Sequence, residues 1–197
     1  MADTDIAAID ETLSTTGKPR TGGCLYANFN PDTCAFPEDA ATDITTLDGW
    51  VSLGDLSQDG LTYAKSATSN KLKGHQGTTV ISEVSDIEET VAFTLIEPNR
   101  VAAARVYYGD NVTEGADGSV ASISDMMTAN TSVALCEDAL ESNGQLRRTV
   151  CYKVSVDTFD DISHKQGEFI AYGVTGTLIK PSNKPAKKVM RAKPATA

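Results

Sequence analysis

Apolar and polar residues alternate along much of the chain, which predicts β-strands rather than helices. The clearest alternation covers residues 145–157 and predicts a strand with one buried face. The apolar positions of this segment are Val150, Tyr152, Val154 and Val156, and the others are Thr149, Cys151, Lys153, Ser155 and Asp157. The segment is therefore expected to be a long strand with one face toward a core.

Further strands are predicted at residues 49–54, 78–86, 88–96, 119–124, 132–136 and 169–179. The second and third of these are expected to meet at a turn formed by Asp86, Ile87 and Glu88. In the last strand, Gly173 and Gly176 indicate bulges or close packing. About seven strands make the expected class mainly β, with two packed antiparallel sheets.

Residues 99–108 are predicted to form the flanking α-helix. Pro98 is favourable at a helix start, and Gly109 is well placed as the C-terminal cap. The helix is apolar nearly all round, which indicates burial on more than one side. Residues 137–144 predict a further helical turn that closes at Gly144.

The order of these segments predicts three parts of the chain. Residues 1–22 are polar and are expected to form an N-terminal arm, and residues 23–179 the β-domain. Within that domain, residues 62–77 are polar and predict a long mobile loop. Residues 180–197 are basic and rich in Pro and Ala, and predict a disordered tail.

The charge of the chain changes the expected partners. The net charge is −10 over 197 residues, but residues 180–197 hold six basic and no acidic side chains, so residues 1–179 carry −16. Such an anionic body repels phosphates at short range, which argues against a sequence-reading DNA-binding protein. No apolar run is long enough to span a membrane, and the acidic N-terminus lacks a secretory signal. We therefore expect a protein assembled in a cytoplasm, with no membrane partner.

The sequence offers little for catalysis or cofactor binding. Cys24, Cys34, Cys136 and Cys151 lack the spacing of a zinc site and are expected to be free thiols used as small apolar side chains. The group most like a metal site is Asp157, Asp160, Asp161 and His164, which is more typical of a solvated turn. No nucleophile, phosphate-binding or dinucleotide motif is present. We expect no enzyme activity and no cofactor.

Several segments, taken in order, carry a resemblance to a known family. They are Thr21 to Ala27 (TGGCLYA), Cys34 to Ala40 (CAFPEDA), Gly49 to Gly54 (GWVSLG), Ser57 to Leu61 (SQDGL), His75 to Gly77 (HQG), Ile96 to Asn99 (IEPN) and Tyr107 to Gly109 (YYG). This ordered set resembles the major tail protein (tail tube protein) family of siphophages. The resemblance is closest over residues 21–110. His75 stands where the family commonly has an aromatic residue. We expect the chain to lack the C-terminal immunoglobulin-like domain that many relatives add.

The resemblance implies a structural subunit of a bacteriophage tail tube. Six copies would close into a ring, and stacked rings would form a tube whose acidic lumen conducts the genome during ejection. Segments 1–22 and 62–77 would order on stacking, the latter with Lys65, Lys71 and Lys73. The helix would pack partly against a neighbour through Val101, Ala104, Arg105 and Tyr108. The polar faces of the long strands give the candidate lumen residues Glu83, Ser85, Thr149, Lys153, Ser155 and Asp157.

The same resemblance implies the partners of the chain in a virion tail. These are further copies of itself and the tape measure, tail-terminator and baseplate proteins, while DNA passes without specific binding. Three alternatives stay open at this point. One is a β-sandwich head-decoration or host-binding protein of a virion, and another is the tube subunit of a phage-tail-like particle. The third is a small hydrolase, which would need a site centred on a histidine.

Overall fold

The computed structural model describes residues 16–19, 24–127 and 132–192. In these ranges the chain forms eleven β-strands, one α-helix and one short 3-10 turn (Ile44–Thr46). The strands are β1 (Gly17–Pro19), β2 (Leu25–Asn28), β3 (Val51–Ser52), β4 (Leu56–Lys73), β5 (Thr79–Leu95), β6 (Val112–Glu114), β7 (Val120–Ile123), β8 (Ser132–Glu141), β9 (Leu146–Phe159), β10 (Tyr172–Leu178) and β11 (Lys187–Ala192). The helix α1 is Val101–Tyr108. None of the helices in these ranges meets the length and apolarity of a membrane span.

Nine of the strands form one antiparallel sheet, and β6 and β7 form a second, two-stranded sheet. The order of the large sheet is β3-β2-β8-β9-β10-β5-β4, with β1 added beside β8 and β11 added beside β9. The predicted mainly β fold, with two antiparallel sheets and one helix, is confirmed for the described ranges.

Strand β9 contributes side chains to both apolar clusters of the protein. Cys151, Val154 and Val156 pack in the larger cluster, with α1 and β5, while Val150 and Tyr152 pack in a smaller cluster around Trp50. The register against β8 shifts between Val133 and Leu135, which leaves one extra residue on β9 and reverses its alternation. The prediction that Val150, Tyr152, Val154 and Val156 share one face is therefore wrong, because the bulge divides them between two cores.

Strands β4 and β5 form a hairpin that extends far beyond the rest of the sheet. They pair from Leu56 and Leu95 at the base to Lys73 and Thr79 at the tip. Strand β10 covers only the inner part of β5, residues 90–95. We call residues 65–89, the part beyond β10, the hairpin arm.

The hairpin corrects two predictions from sequence. The loop predicted over residues 62–77 is strand as far as Lys73, and the turn occupies only residues 74–78. The turn predicted at Asp86, Ile87 and Glu88 is instead uninterrupted strand. A bulge lies next to that position, where the register steps from Thr68 opposite Asp86 to Ser69 opposite Val84.

Helix α1 begins two residues later than predicted and ends at the predicted cap. Arg100 is its N-cap, and Gly109 closes it with a φ of 68°, a left-handed conformation that glycine adopts without steric cost. The helical turn predicted for residues 137–144 is wrong. Its first part continues β8 to Glu141, and Gly144, with a φ of 79°, completes the turn into β9.

The described parts of the predicted arm and tail also differ from their predictions, while residues 193–197 lie outside the described ranges. Part of the predicted arm, Gly17–Pro19, is a strand paired with β8, and residues 1–15 and 20–22 lie outside the described ranges. Within the tail predicted to be disordered, Lys187–Ala192 pairs with β9, and Met190 is buried against it. An apolar side chain and a paired strand therefore fix this basic segment to the sheet.

Gly176 and Gly173 confirm the expectation of bulges or close packing in β10. The register against β9 shifts beside Gly176, and a Cβ atom added there would lie 2.5 Å from Cγ1 of Val154. At Gly173 an added Cβ would overlap the carboxylate of Asp160, at 2.2 Å. Both glycines therefore let β10 lie close to its neighbours.

Candidate tube-lining and assembly surfaces

Four neighbouring strands, β9, β10, β5 and β4, present a continuous polar face away from the larger core. In β10, Val174 and Leu178 point to the core, so Thr175 and Thr177 between them point to the opposite face. Register pairs place their neighbours on this same face. These neighbours are Thr62, Ala64, Thr90, Ala92, Ser155 and Thr158. The side chains of this wall are small, and each is half-buried or exposed.

The polar face continues along the hairpin arm, where its charged side chains are acidic, as far as the exposed apolar pair Leu72 and Ile81 near the tip. Ser66 is opposite Glu88, Thr68 opposite Asp86, and Asn70 opposite Glu83. On the body, the carboxylate of Asp157 accepts a hydrogen bond of 2.7 Å from the hydroxyl of Thr177. We call this surface, from β9 to the arm, the polar wall.

The predicted lumen residues divide into three groups. Glu83, Ser155 and Asp157 lie on the polar wall, and Ser85 lies at the bulge beside it, where its hydroxyl donates to the carbonyl of Thr68. Lys153 is half-buried, and its ammonium pairs with Asp32 at 3.0 Å. Thr149 is only 1% exposed, so it lies inside the subunit and cannot line a channel, and that prediction is wrong.

Sequence reasoning missed the threonines of the wall, Thr62, Thr90, Thr175 and Thr177. Thr90, Thr94 and the two β10 threonines do alternate with apolar residues, which was a usable signal. Which strands are neighbours, however, depends on long-range pairing that the alternation of a single strand does not reveal.

The opposite face of the arm carries the three lysines predicted to act in ring stacking. Lys65, Lys71 and Lys73 occupy alternate positions of β4, so they share one face, and all three are exposed. Lys65 pairs with Glu89 at 2.9 Å. Between the lysines lie apolar side chains, of which Val84 is 61% exposed and Ile87 62% exposed.

The helix residues predicted for an inter-subunit contact are only partly available. Ala104 is 0% exposed and packs in the subunit's own core, so its predicted place in a shared contact is wrong. Val101, Arg105 and Tyr108 are half-buried. Arg105 lies 4.3 Å from the ring centre of Phe29 and pairs with Asp110, which leaves its guanidinium engaged within the subunit.

The cysteines and the possible metal-binding side chains are the candidates for chemistry among the described residues. The four cysteines are free, as predicted, and burial raises the pKa of the Cys151 thiol to about 12. The described residues contain no group of three or more His, Cys, Asp or Glu side chains arranged to hold a metal ion.

Comparison with known proteins gives one family. A family model described as "Phage tail tube protein" matches residues 17–197, which is most of the chain. No curated protein sequence matches the chain significantly.

Proposed function

The chain belongs to the phage tail tube protein family, the structural subunits of virion tail tubes, and we propose that six copies of it close into a ring. Stacked rings would then form the tube, with the polar wall of each subunit facing the lumen and the genome passing along it during ejection. The sequence resemblance to siphophage major tail proteins points to the same assembly.

The polar wall is the observation that carries this proposal. A sheet in a small domain normally covers its second face or exposes it to bulk solvent. Here that face is paved with small hydroxyl and methyl side chains, and its charged residues include Asp157, Asp160 and, on the arm, Glu83, Asp86 and Glu88. A wall of this kind repels phosphates and offers DNA few contacts of long lifetime.

Open sheet edges support closure into a ring. Strand β4 is the last strand of the large sheet over its 18 residues, and β3 is the last strand on the other side. An unpaired edge as long as that of β4 invites pairing with another chain, and closure around an axis satisfies it. The further partners expected in the tail are the tape measure, tail-terminator and baseplate proteins, and the subunit would assemble in the host cytoplasm.

Electron microscopy of the concentrated, purified protein tests the proposal. We expect tubes or six-membered rings with a central channel. A particle that remains monomeric at high concentration would contradict the proposal and would favour a decoration or host-binding protein. Density maps of the tubes would locate Glu83 and Asp157, which must line the channel if the polar wall faces it.

A further inference from the structure

We propose that the lysine-bearing face of the hairpin arm docks on an acidic and aromatic patch at the opposite end of a second copy of this chain. The inference rests on the tube proposed above, and it assigns the two surfaces that meet between subunits. The lysine face includes Lys65, Ala67, Lys71, Lys73, Val84 and Ile87, and Glu89 pairs with Lys65 on it. The acidic-aromatic patch consists of Tyr107, Tyr108, Asp125, Phe159 and Asp161.

The lysine face continues the core-facing side of the sheet after the core has ended. At the base of the hairpin, Leu61 is opposite Phe93 and Tyr63 opposite Val91, and all four pack in or against the larger cluster. The next pairs on this side are Lys65 with Glu89 and Ala67 with Ile87. The arm therefore turns its core-facing side to a place where its own subunit provides no covering layer.

An arm of this length, which its own subunit does not cover, needs a partner surface to be stable. Nine residues of extended strand, Lys65 to Lys73, reach about 30 Å. A two-stranded ribbon is at best marginally stable in water by itself. On the lysine face, Val84 and Ile87 are more than half exposed, at 61% and 62%. Burying these side chains against a partner would stabilise the arm through the hydrophobic effect.

The acidic-aromatic patch is built around the end of α1. The ring of Tyr107 lies 5.1 Å from that of Phe159, and its hydroxyl donates to the carbonyl of Asp160 at 2.7 Å. Burial raises the pKa of the Tyr107 phenol, and so do the neighbouring Tyr108 and three nearby carboxylates. Asp125 and Asp161 provide the exposed carboxylates of the patch, and Phe159 itself is 42% exposed. The third carboxylate, that of Asp160, lies against Gly173 on the polar-wall side of β10.

The two surfaces match in chemistry. Three lysines spaced along an apolar strip would meet carboxylates around exposed aromatic rings, so that ion pairs and cation–π contacts both form. The chain already uses this combination internally. The ammonium of Lys187 lies 4.6 Å from the ring centre of Tyr63 and 3.4 Å from the carboxylate of Glu89.

The two surfaces also lie at opposite ends of the same strands, which makes the partner a second copy. Tyr172, opposite Leu95, marks the patch end, where the ring of Tyr107 lies 5.1 Å from that of Tyr172. Thr177, opposite Thr90, marks the other end, beyond which the arm projects. An arm at one end and an acceptor at the other form a head-to-tail contact, which repeats from copy to copy into a ring or a tube.

Charge exchange between the two surfaces tests the proposal. Lys71→Glu with Lys73→Glu should raise the protein concentration needed for half-maximal assembly by about tenfold or more, because carboxylates would then face carboxylates. Asp125→Lys with Asp161→Lys should have a similar effect. All four changes together should return assembly to within about threefold of the unmodified protein.

The matched control is Lys180→Glu with Lys188→Glu, which makes the same change in charge at exposed positions outside the arm. It should assemble within about threefold of the unmodified protein. If the control fails as badly as the arm variant, or if the four changes together do not restore assembly, the proposed contact is wrong while the tube itself stands. If the unmodified protein forms neither rings nor tubes, the proposed function fails first.

A photo-crosslinking residue at Ile87 maps the contact directly. In tubes mixed from isotopically light and heavy chains, we expect light–heavy crosslinks from position 87 to peptides that contain residues 107–108, 125–127 or 159–161. The same residue placed at Thr68, on the polar wall, should give no such crosslinks. Crosslinks from position 87 to another part of the chain or to another virion protein would overturn the assignment.

Discussion

In the body of the subunit both faces of the first half of β9 are covered by the same chain, whereas in the hairpin arm both faces of β4 and β5 lie open. In β9 the consecutive residues Val150, Cys151 and Tyr152 are all buried. Their side chains point alternately to the two sides of the sheet. Along the arm, residues 65–88 are exposed on both sides, apart from the turn glycine Gly74. The side chains of the body pack against one another, as in any folded domain. The side chains of the arm stay exposed, as expected of a surface that another chain covers.

The same two-residue alternation of side chains therefore has a different role in the body and in the arm. In the body, alternation separates two apolar clusters on the two sides of a sheet. In the arm it places Glu83, Asp86 and Glu88 on the polar wall and the three lysines on the opposite face, where Glu89 pairs with Lys65. Unfolding stability should therefore depend on the body, and assembly on the arm.

The largest expected loss of stability follows from breaking the buried ion pair that joins the sheet to a loop of the body. Arg148 is 0% exposed; it donates to both carboxylate oxygens of Asp138 at 2.6 Å and to the carbonyl of Thr42 at 2.6 Å. Arg148→Met should lower the free energy of unfolding by about 3–5 kcal/mol, because a buried carboxylate loses its cation. Urea unfolding followed by Trp50 fluorescence measures this.

The control for this prediction lies in the arm. Lys71→Met removes an exposed cation of similar length and should change the free energy of unfolding by less than about 0.5 kcal/mol. Equal losses in the two variants would show that the arm contributes to the fold of the body, contrary to the comparison.

A smaller loss is expected where β10 lies against β9. An alanine Cβ at position 176 would lie 2.5 Å from Cγ1 of Val154 and 2.9 Å from the carbonyl oxygen of Ser155. Gly176→Ala should therefore cost about 1–3 kcal/mol, since the backbone of β9 cannot easily move away. Gly17→Ala, where the nearest atom outside the adjacent residues lies 4.0 Å away, is the matched strand control and should unfold close to the unmodified protein.

The sequence predicts the elements of the body well and their faces less well. Strand β9 was predicted to within two residues at each end, and α1 to within two residues at its start, because alternation, Pro98 and Gly109 are local signals. The error at Val154 and Val156 arose from a bulge. A single extra residue exchanges the two faces of a strand, and bulges leave no fixed sequence signature.

The arm was harder to predict for the opposite reason. Its side chains are not buried by their own chain, so residues 62–73 lack the apolar alternation that identifies a strand, and they read as a loop. The sequence singles out the lysines predicted to act in stacking, but their common face is visible only once the strand is known. Ala104 shows a different limit of prediction. An apolar helix surface predicts burial, but it does not tell whether the same chain or another copy covers it.

Shortening the arm should separate folding from assembly. Residues 67–87 can be replaced by Asn-Gly, a two-residue turn suited to join Ser66 to its partner Glu88. The body should keep its free energy of unfolding to within about 1 kcal/mol, because the removed side chains are exposed, while tubes should be absent by electron microscopy. Tubes of normal length from this variant would show that the arm has no role in assembly.

The smallest change in stability, near zero, is expected when the acidic side chains of the arm are neutralised. Replacing Glu83, Asp86 and Glu88 with Gln, Asn and Gln removes exposed charges, so the free energy of unfolding should change by less than about 0.5 kcal/mol and tubes should still form. DNA release from particles built with this variant should be slower, because a neutral wall no longer repels phosphates. The same change at Glu38, Asp48 and Glu168, exposed acids away from the arm, is the control. Equal release rates in the two variants would mean that the acidic face of the arm does not meet the passing genome, and that the polar wall faces away from the channel.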